Sequence, residues 1–306
     1  MKKCYILKLA DGTNLAISAE DEAAGEIISV LSRTTRLSHA PDPLLPQTSR
    51  LCVFSADSGH ANCVTDPKTT VCVLEDTQVL RYHPREPGDP TVPTVTRAEW
   101  AWRQFVRISS IICSLTHSRG GILLHGGLIQ CPPGSGSNGL KERTGSLLAG
   151  CSGVGKTTAS VRFPKPWRAL SDDLTLVVRD KQGVFWAHPW PTWSEFLYAE
   201  TGTPGPGWNV QRAVQLQAIF FLTRGEGRME PVGTGQALCL LTELSQQASR
   251  RLLEELTAEG VVEFNRQCFE NLSNLAKTIP GYLLHMSLGD PFWEKIEKVL
   301  RKPSPE

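Results

Sequence analysis

Apolar and polar positions divide the chain into a strand-rich first part and a longer second part of mixed elements. Apolar runs flank Asp11-Gly12, a dipeptide typical of a hairpin turn, and the apolar spacing over residues 20–34 predicts an amphipathic helix. Further short apolar runs predict strands over 51–54, 71–74 and 78–82. Four prolines between residues 84 and 93 then allow neither a helix nor a central strand. We therefore expect a small N-terminal α/β module over residues 1–94.

The remaining residues, 95–306, alternate strand-like and helix-like segments. Thr96 and Glu99 have the spacing of a capping box, and the apolar period continues to Thr116, which predicts a long helix. Further strands are predicted over 121–124, 145–149, 169–178, 184–187, 218–222 and 282–286, and helices over 248–256, 266–278 and 291–301. The run 169–178 is interrupted at its start by two adjacent acids. The glycine-rich segment 132–139 is predicted to be an exposed hairpin loop, because no Lys-Thr ending or helix follows it. The order predicts a second α/β domain.

One glycine-rich segment fits a phosphate-binding pattern without a mismatch. Gly150-Cys151-Ser152-Gly153-Val154-Gly155-Lys156-Thr157 reads G-x-x-x-x-G-K-[ST], with Thr158 next, and lies between a predicted strand and a predicted helix. The backbone N–H groups of such a loop, together with the helix N-terminus, point at phosphate oxygens. Lys156 would neutralise the β- and γ-phosphates and the Thr157 hydroxyl would hold Mg²⁺. The motif predicts that the chain binds ATP with Mg²⁺; a glycine-rich turn that happens to precede Lys-Thr is the alternative.

Two adjacent acids, Asp172 and Asp173, follow the loop. Pro164 and Pro166 leave room for only a brief helix between the loop and the acids. One carboxylate could hold Mg²⁺ while the other accepts a proton from an attacking hydroxyl. We assign Asp172 as the base and Asp173 as the metal partner; a solvated turn carrying two acids is the alternative.

His125 is the third candidate group. It follows the apolar run 121–124 and precedes Gly126-Gly127, where the backbone can approach a ligand closely. A histidine in this place could donate a hydrogen bond to a phosphate oxygen or orient a carboxylate. A satisfied structural histidine is the alternative.

The order and spacing of these three segments resemble those of the HPr serine kinases, whose fold is related to the phosphoenolpyruvate carboxykinases. The resemblance rests on Leu124–Ile129, Gly150–Thr158 and Leu170–Asp173, and it covers about residues 96–300. It is closest to the small HPr-kinase-like proteins of peptide-modifying gene cassettes, such as the kinases of lasso-peptide clusters and the C protein of the SynChlorMet cassettes.

The resemblance implies an α/β fold with an HPr-kinase-like P-loop domain over 95–306, and ATP and Mg²⁺ as cofactors. It implicates His125, Asp172 and Asp173 in catalysis beside Lys156. The Arg-Gly-rich, Glu-containing signature of the HPr kinase/phosphorylases is not found after the acid pair. This departure argues against phosphorylase activity and against HPr as the substrate.

Two later segments carry further candidates. The region 188–208 is rich in proline and holds Trp190, Trp193 and Trp208, which could stack an adenine, grip an extended peptide or cap the edge of a core. We expect a core-edge position for at least one of them and a peptide-holding role for others. Arg224 and Arg228 follow a predicted strand; either could steady a transferring phosphoryl group, and a solvated hairpin is the alternative.

Composition narrows the partners. The chain has 32 basic and 31 acidic residues with no basic run, which argues against nucleic acid. Its nine cysteines are scattered without a C-x-x-C pair, which is typical of reduced thiols rather than of a disulfide framework or a zinc site. No signal-like segment and no apolar run of 18 residues is present, so we expect a cytoplasmic protein without a membrane partner. A homo-oligomer is left open.

Together these observations predict an enzyme, a kinase that transfers the γ-phosphoryl group of ATP to a serine or threonine hydroxyl of a protein or a ribosomal precursor peptide. An ATP-binding assembly or recognition protein that transfers nothing is the main alternative. A small-molecule kinase or a carboxykinase-like enzyme is a third.

Overall fold

The computed structural model describes residues 3–41, 44, 48–54, 69–73, 97–132, 143–191, 208–254, 256–287 and 289–301. Contacts between Cα atoms divide the chain into two compact units. The first includes Met1–Ile112, and the second comprises Cys113–Trp190 and Trp208–Glu306. The predicted boundary near residue 95, the strand predicted over 78–82 and the loop over 133–139 lie outside the described residues and stay predictions.

The N-terminal part is a five-stranded sheet with one helix. The strands are β1 (Cys4–Lys8), β2 (Asn14–Ala19), β3 (Ser38–His39), β4 (Ser49–Phe54) and β5 (Thr69–Val73), in the order β3-β1-β2-β4-β5, and the helix is α1 (Glu22–Thr35). The predicted hairpin is confirmed, because β1 and β2 pair antiparallel around Gly12, whose φ is 88°. The helix begins where the Asp21 side chain accepts a hydrogen bond from Ala24 N at 2.9 Å.

The rest of the chain forms an eight-stranded mixed sheet with helices. Its strands are β6 (Ile122–Gln130), β7 (Thr144–Ala149), β8 (Arg168–Ser171), β9 (Leu174–Arg179), β10 (Phe185–Trp190), β11 (Val214–Arg224), β12 (Met229–Val232) and β13 (Gly281–Met286). Helix α2 (Arg97–His117) begins in the first unit and ends in the second, and the helices after it are α3 (Lys156–Arg162), α4 (Thr234–Glu254), α5 (Ala258–Thr278) and α6 (Phe292–Leu300). The strand order is β10-β9-β6-β7-β11-β13-β12, and β8 also pairs with β6. The chain is therefore a mixed α/β protein.

Two apolar clusters fill the space around this sheet. Neighbouring residues alternate between the clusters, as Leu147 and Leu148 do on β7, because successive strand side chains point to opposite faces. The first cluster contains Leu241 of α4 together with residues of α5, and the second contains Phe292 of α6 together with Ala159 of α3. Helices thus cover both faces, which is the layering expected for a largely buried sheet.

The carboxyl ends of three neighbouring parallel strands lie side by side. Strand β11 lies between β7 and β13 and runs parallel to both, with Phe221 opposite Ala149 and Arg224 opposite Met286. The carboxyl ends of neighbouring parallel strands are a common place for a ligand in α/β proteins. The glycine-rich loop leaves the sheet here, directly after Ala149.

Most predicted elements agree with the structure, and the predicted starts of two helices are wrong. The helix predicted from residue 266 begins at Ala258 as α5. The predicted start of a helix at residue 248 is wrong, because α4 begins at Thr234. The sequence reasoning also missed β12, which follows β11 after a short turn. Gly233 and Gly235 surround the start of α4, and glycine lowers the helix propensity of a segment by about 1 kcal/mol per residue relative to alanine. The tertiary packing of Ala237, Leu241 and Leu244 overrides that local cost.

Two of the three candidate tryptophans are buried. Trp190 ends β10 with 4% of its surface exposed, and Trp208 is 5% exposed, which confirms the core-edge expectation. Trp193 lies outside the described residues, so its proposed role in holding a peptide stays a prediction.

Replacing Trp190 with alanine is expected to lower the free energy of unfolding by about 3–5 kcal/mol, the usual cost of removing a buried aromatic side chain. Urea unfolding followed by far-ultraviolet circular dichroism measures the loss. Trp190→Phe serves as the conservative control and should retain most of the stability. An alanine variant as stable as the native protein would show that the side chain contributes nothing to the core.

Candidate active site

The glycine-rich loop connects β7 to α3. Gly153 has a φ of 78° and Gly155 a φ of 108°, both in the left-handed region. Glycine enters that region without the steric cost that a Cβ brings, so these two positions require it for conformation and not for space. Val154 N donates to Cys151 O at 3.3 Å, and Ala159 N donates to Gly155 O at 2.8 Å as the helix begins.

Lys156 is buried beneath this loop. Lys156 is the first residue of α3, and only 5% of its surface is exposed. Its Nζ donates to Gly150 O at 2.9 Å and to Cys151 O at 3.1 Å. Burial lowers the pKa of the Lys156 ammonium, and the nearby negative charge of Asp173 opposes that shift. The ammonium is therefore held against the loop backbone by contacts with two carbonyls.

Asp172 and Asp173 lie in a gap between two strand segments. β8 and β9 both pair with β6, with Ser171 opposite Leu128 and Leu174 opposite His125. Between these registers the ladder is interrupted, and Gly126 N donates instead to Asp173 O at 2.7 Å. The interruption places both acids beside the end of β7, since Gly126 is also opposite Ala149.

The two acids have different side-chain partners. Thr157 Oγ1 donates to Asp172 Oδ2 at 3.1 Å, and His125 Nε2 lies 2.8 Å from Asp173 Oδ1. The Thr157 hydroxyl and the Asp172 carboxylate are hard oxygen donors of the kind that Mg²⁺ prefers beside substrate phosphates, so these residues fit that cation. In the described part of the chain, no group of three or more His, Cys, Asp and Glu side chains could hold a metal by itself.

His125 is held from both sides. Its Nδ1 lies 2.9 Å from Gln247 Oε1, and Gln247 Nε2 donates to Glu243 Oε1 at 3.2 Å, one helical turn earlier on α4. The donor contact to Glu243 orients the Gln247 amide so that its oxygen faces the ring, and Nδ1 must then carry a proton. With Asp173 ionised, Nε2 must donate as well. The contacts therefore favour an imidazolium ring paired with a carboxylate.

The pKa shifts of this pair agree with its hydrogen bonds. The hydrogen bond to Asp173 raises the pKa of His125 above its ordinary value, although burial works against it. The hydrogen bond from His125 lowers the pKa of Asp173, again against the effect of burial. The side chain of His125 is 14% exposed and that of Asp173 is 46% exposed, so solvent screens the pair in part.

These shifts predict how stability depends on pH. The lowered pKa of Asp173 gives stability that is complete above about pH 4 and is lost as the pH falls through the folded value. The raised pKa of His125 gives stability that is complete below about pH 6.5 and is lost as the pH rises through the folded value. The native protein should therefore exceed Asp173→Asn in Tm by the largest amount between about pH 4 and about pH 6.5. The difference in Tm should become smaller at lower and at higher pH.

Thermal melts from pH 3 to pH 9, without Mg²⁺ or nucleotide, measure this difference. Glu270→Gln is the control, because its ion pair with Arg266 is exposed and should contribute little at any pH. A difference for Asp173→Asn that stays constant over the whole range would contradict an ion pair at this position.

Sequence reasoning missed two residues of the cluster. Gln247 and Glu243 are exposed polar residues on a helix whose first 14 residues were not predicted, and they reach His125 and the loop only through the fold. Glu243 Oε1 also accepts from Cys151 Sγ at 3.5 Å. The apolar spacing of Ala237, Leu241 and Leu244 was the one signal that could have extended the helix.

The two candidate arginines differ in position. Arg224 Nη2 donates to Gly153 O at 2.9 Å and is thus attached to the glycine-rich loop. Arg228 forms an exposed ion pair with Glu230 at 2.9 Å. The structure therefore brings Arg224 to the glycine-rich loop. The exposed ion pair of Arg228 agrees with the alternative, a solvated hairpin.

The fold and the site define a class: a mixed α/β protein in which a glycine-rich loop, two acids and a histidine meet at the end of a central strand. A family model, the SynChlorMet cassette protein ScmC, matches residues 92–301. The chain belongs to the ScmC family. A search of curated proteins gave no significant match. No helix in the described ranges combines the length and the apolar character needed to cross a bilayer.

Proposed function

We propose that this protein is an ATP-dependent kinase that phosphorylates a serine or threonine hydroxyl of a protein or ribosomal precursor peptide. One observation carries the proposal: Lys156 and Thr157 of the loop lie beside a pair of acids with separate partners. Thr157 contacts Asp172, and Asp173 contacts His125. Phosphoryl transfer needs a positive group near the phosphates, a ligand for Mg²⁺ and an ionised carboxylate beside them. The Lys156 ammonium, the Thr157 hydroxyl and the acid pair are groups of these three kinds.

The loop would hold the phosphates. Its backbone N–H groups and the Lys156 ammonium would stabilise the negative charge of the β- and γ-phosphates. Thr157 and Asp172 would hold Mg²⁺, which neutralises charge on the phosphate oxygens when bound. This assignment reverses the one based on sequence, because the contact with Thr157 belongs to Asp172 and not to Asp173.

Asp173 would orient the acceptor hydroxyl and take its proton. Its lowered pKa keeps the carboxylate ionised near neutral pH, and His125 fixes the position of Oδ1, which leaves Oδ2 to accept a hydrogen bond. A weakly basic carboxylate suffices, because the attacking hydroxyl needs little activation in a loose transition state. The hydroxyl oxygen forms a bond to the γ-phosphorus, the bond from the γ-phosphorus to the bridging oxygen breaks, ADP leaves and the proton passes to Asp173.

The family supports a peptide acceptor. The ScmC model is described as a cassette protein, and a kinase encoded in a peptide-modification cassette would act on the peptide of that cassette. A peptide segment needs only to bring one hydroxyl in line with the γ-phosphorus, so positioning supplies much of the rate.

Transfer of label from γ-labelled ATP tests the proposal. The purified protein is incubated with Mg-ATP and the precursor peptide encoded in the same cassette, and a peptide with its serines and threonines changed to alanine is the control. We expect label in the native peptide alone. Binding of ATP without label in any peptide or protein would favour the alternative, an assembly or recognition protein that transfers nothing.

A further inference from the structure

A pocket of about 740 Å³ opens beside the glycine-rich loop. Its walls come from three places: the loop with the first turns of α3, the end of β11 with the residues that follow, and the end of β13. Protein pockets that bind small molecules usually have volumes of about 300–1,000 Å³, so this one has the size for an organic ligand. His125, Asp172 and Asp173 are not among its lining residues.

The order of strands explains why the acids and the pocket are separate. β7, which leads into the loop, has β6 on one side and β11 followed by β13 on the other. The acids and His125 are associated with β6, whereas Arg224 and Met286 end β11 and β13. Gly225 N donates to Met286 O at 3.1 Å and joins these two walls. The loop therefore lies between the acid cluster and the pocket.

The first turn of α3 faces both regions. Thr157 and Thr158 are successive helical residues and point about 100° apart, since a helix has 3.6 residues per turn. Thr157 contacts Asp172, whereas Thr158 lines the pocket together with Ala159 and Arg162. A ligand whose phosphates follow the loop can therefore extend from the acid side into the pocket.

The lining combines apolar surface with fixed cations. Val154, Ala159 and Met286 supply apolar walls, and Arg224 is attached to the loop through Gly153 O. Arg162 is also held: its Nη1 donates to Ser287 O at 3.2 Å, its Nη2 donates to Asp290 O at 2.7 Å, and its guanidinium lies over the Phe292 ring. Flat apolar groups bind against such walls, and phosphates bind near such cations.

We infer that this pocket holds the nucleoside half of the triphosphate, with its base against Val154 and Met286 and its α-phosphate between Thr158 and Arg224. The inference rests on the proposed function and adds the nucleoside subsite to it. The phosphate chain then runs along the loop from the pocket to the acid pair, which places the γ-phosphoryl group beside Asp173.

Filling the pocket tests the inference. Ser287 is exposed and lines the pocket, and its contact with Arg162 uses only the backbone carbonyl, so Ser287→Trp should fold and occupy the nucleoside subsite. Isothermal titration measures the affinity of each protein for Mg-ATP and for Mg-tripolyphosphate, which has the phosphate chain without a nucleoside. We expect Ser287→Trp to bind ATP at least about tenfold more weakly and to bind tripolyphosphate as the native protein does.

Two further variants make the result decisive. Val161→Trp adds the same side chain to α3 at an exposed position outside the pocket and should change neither affinity. Met286→Ala removes an apolar wall of the pocket. It should weaken the binding of ATP and leave the binding of tripolyphosphate unchanged. Unchanged ATP affinity in both pocket variants, or an equal loss for both ligands, would overturn the subsite while leaving the phosphate site standing. A native protein that binds neither ligand would overturn the proposed function itself.

Discussion

Replacing Lys156 with alanine is expected to lower the affinity for Mg-ATP by about tenfold or more. The ammonium lies under the loop against the carbonyls of Gly150 and Cys151, at the position where the β- and γ-phosphates would bind. Its removal takes away charge-assisted hydrogen bonds, which are about twice as strong as neutral ones. Equilibrium binding of a labelled ATP analogue measures the change.

Lys165→Ala is the matched control, because Lys165 is an exposed lysine just beyond the end of α3. It should bind ATP as the native protein does. A melting curve of Lys156→Ala separates the loss of binding from unfolding, since the side chain also links two loop carbonyls. Unchanged affinity in a folded Lys156→Ala protein would show that the loop does not bind nucleotide through this residue.

Replacing Asp173 with asparagine is expected to lower phosphoryl transfer by about 10²–10⁴-fold, the usual contribution of a positioned general base. Asparagine keeps the shape of the side chain and removes the acceptor of the proton. ATP binding should largely remain, because the proposed phosphate contacts belong to the glycine-rich loop and not to Asp173. Transfer from γ-labelled ATP and the binding of a labelled analogue are measured on the same preparation.

Asp172→Asn should also abolish most of the transfer, but for a different reason, and Mg²⁺ distinguishes the two. If Asp172 holds the cation with Thr157, a high concentration of Mg²⁺ will restore part of the activity of Asp172→Asn and none of the activity of Asp173→Asn. Glu259→Gln, an exposed acid at the start of α5, is the control and should be fully active. Rescue of Asp173→Asn instead would return the roles to the order expected from sequence, and full activity in both variants would remove the acids from the mechanism.

The local part of the site could be predicted from the sequence. The loop and the short helix after it are encoded within residues 150–164, where glycines set the backbone and Pro164 ends the helix. The interruption at Asp172-Asp173 could also be predicted locally, because two adjacent acids interrupt an apolar run. Such signals need no knowledge of what packs against the segment.

The partners of these residues could not be predicted in this way. Gln247 contacts His125 across 122 positions of the chain, and nothing in the residues around it distinguishes it from other exposed polar residues. The assignment of the acids depended equally on the fold, since only the geometry shows that Thr157 faces Asp172 and His125 faces Asp173. Adjacent residues with the same chemistry acquire different roles from their neighbours in space.

The gap between β8 and β9 places the two acids outside the strand pairing of the sheet. Asp172 and Asp173 stand between two paired segments, and the backbone bond that crosses the gap uses the carbonyl of Asp173, which a residue of any type supplies. Selection can therefore change these two side chains without disturbing the registers on either side. A descendant that replaces these acids would lose the proposed phosphoryl transfer and keep the same strand registers, so relatives that retain the fold without the acid pair are an expected product of divergence in the family.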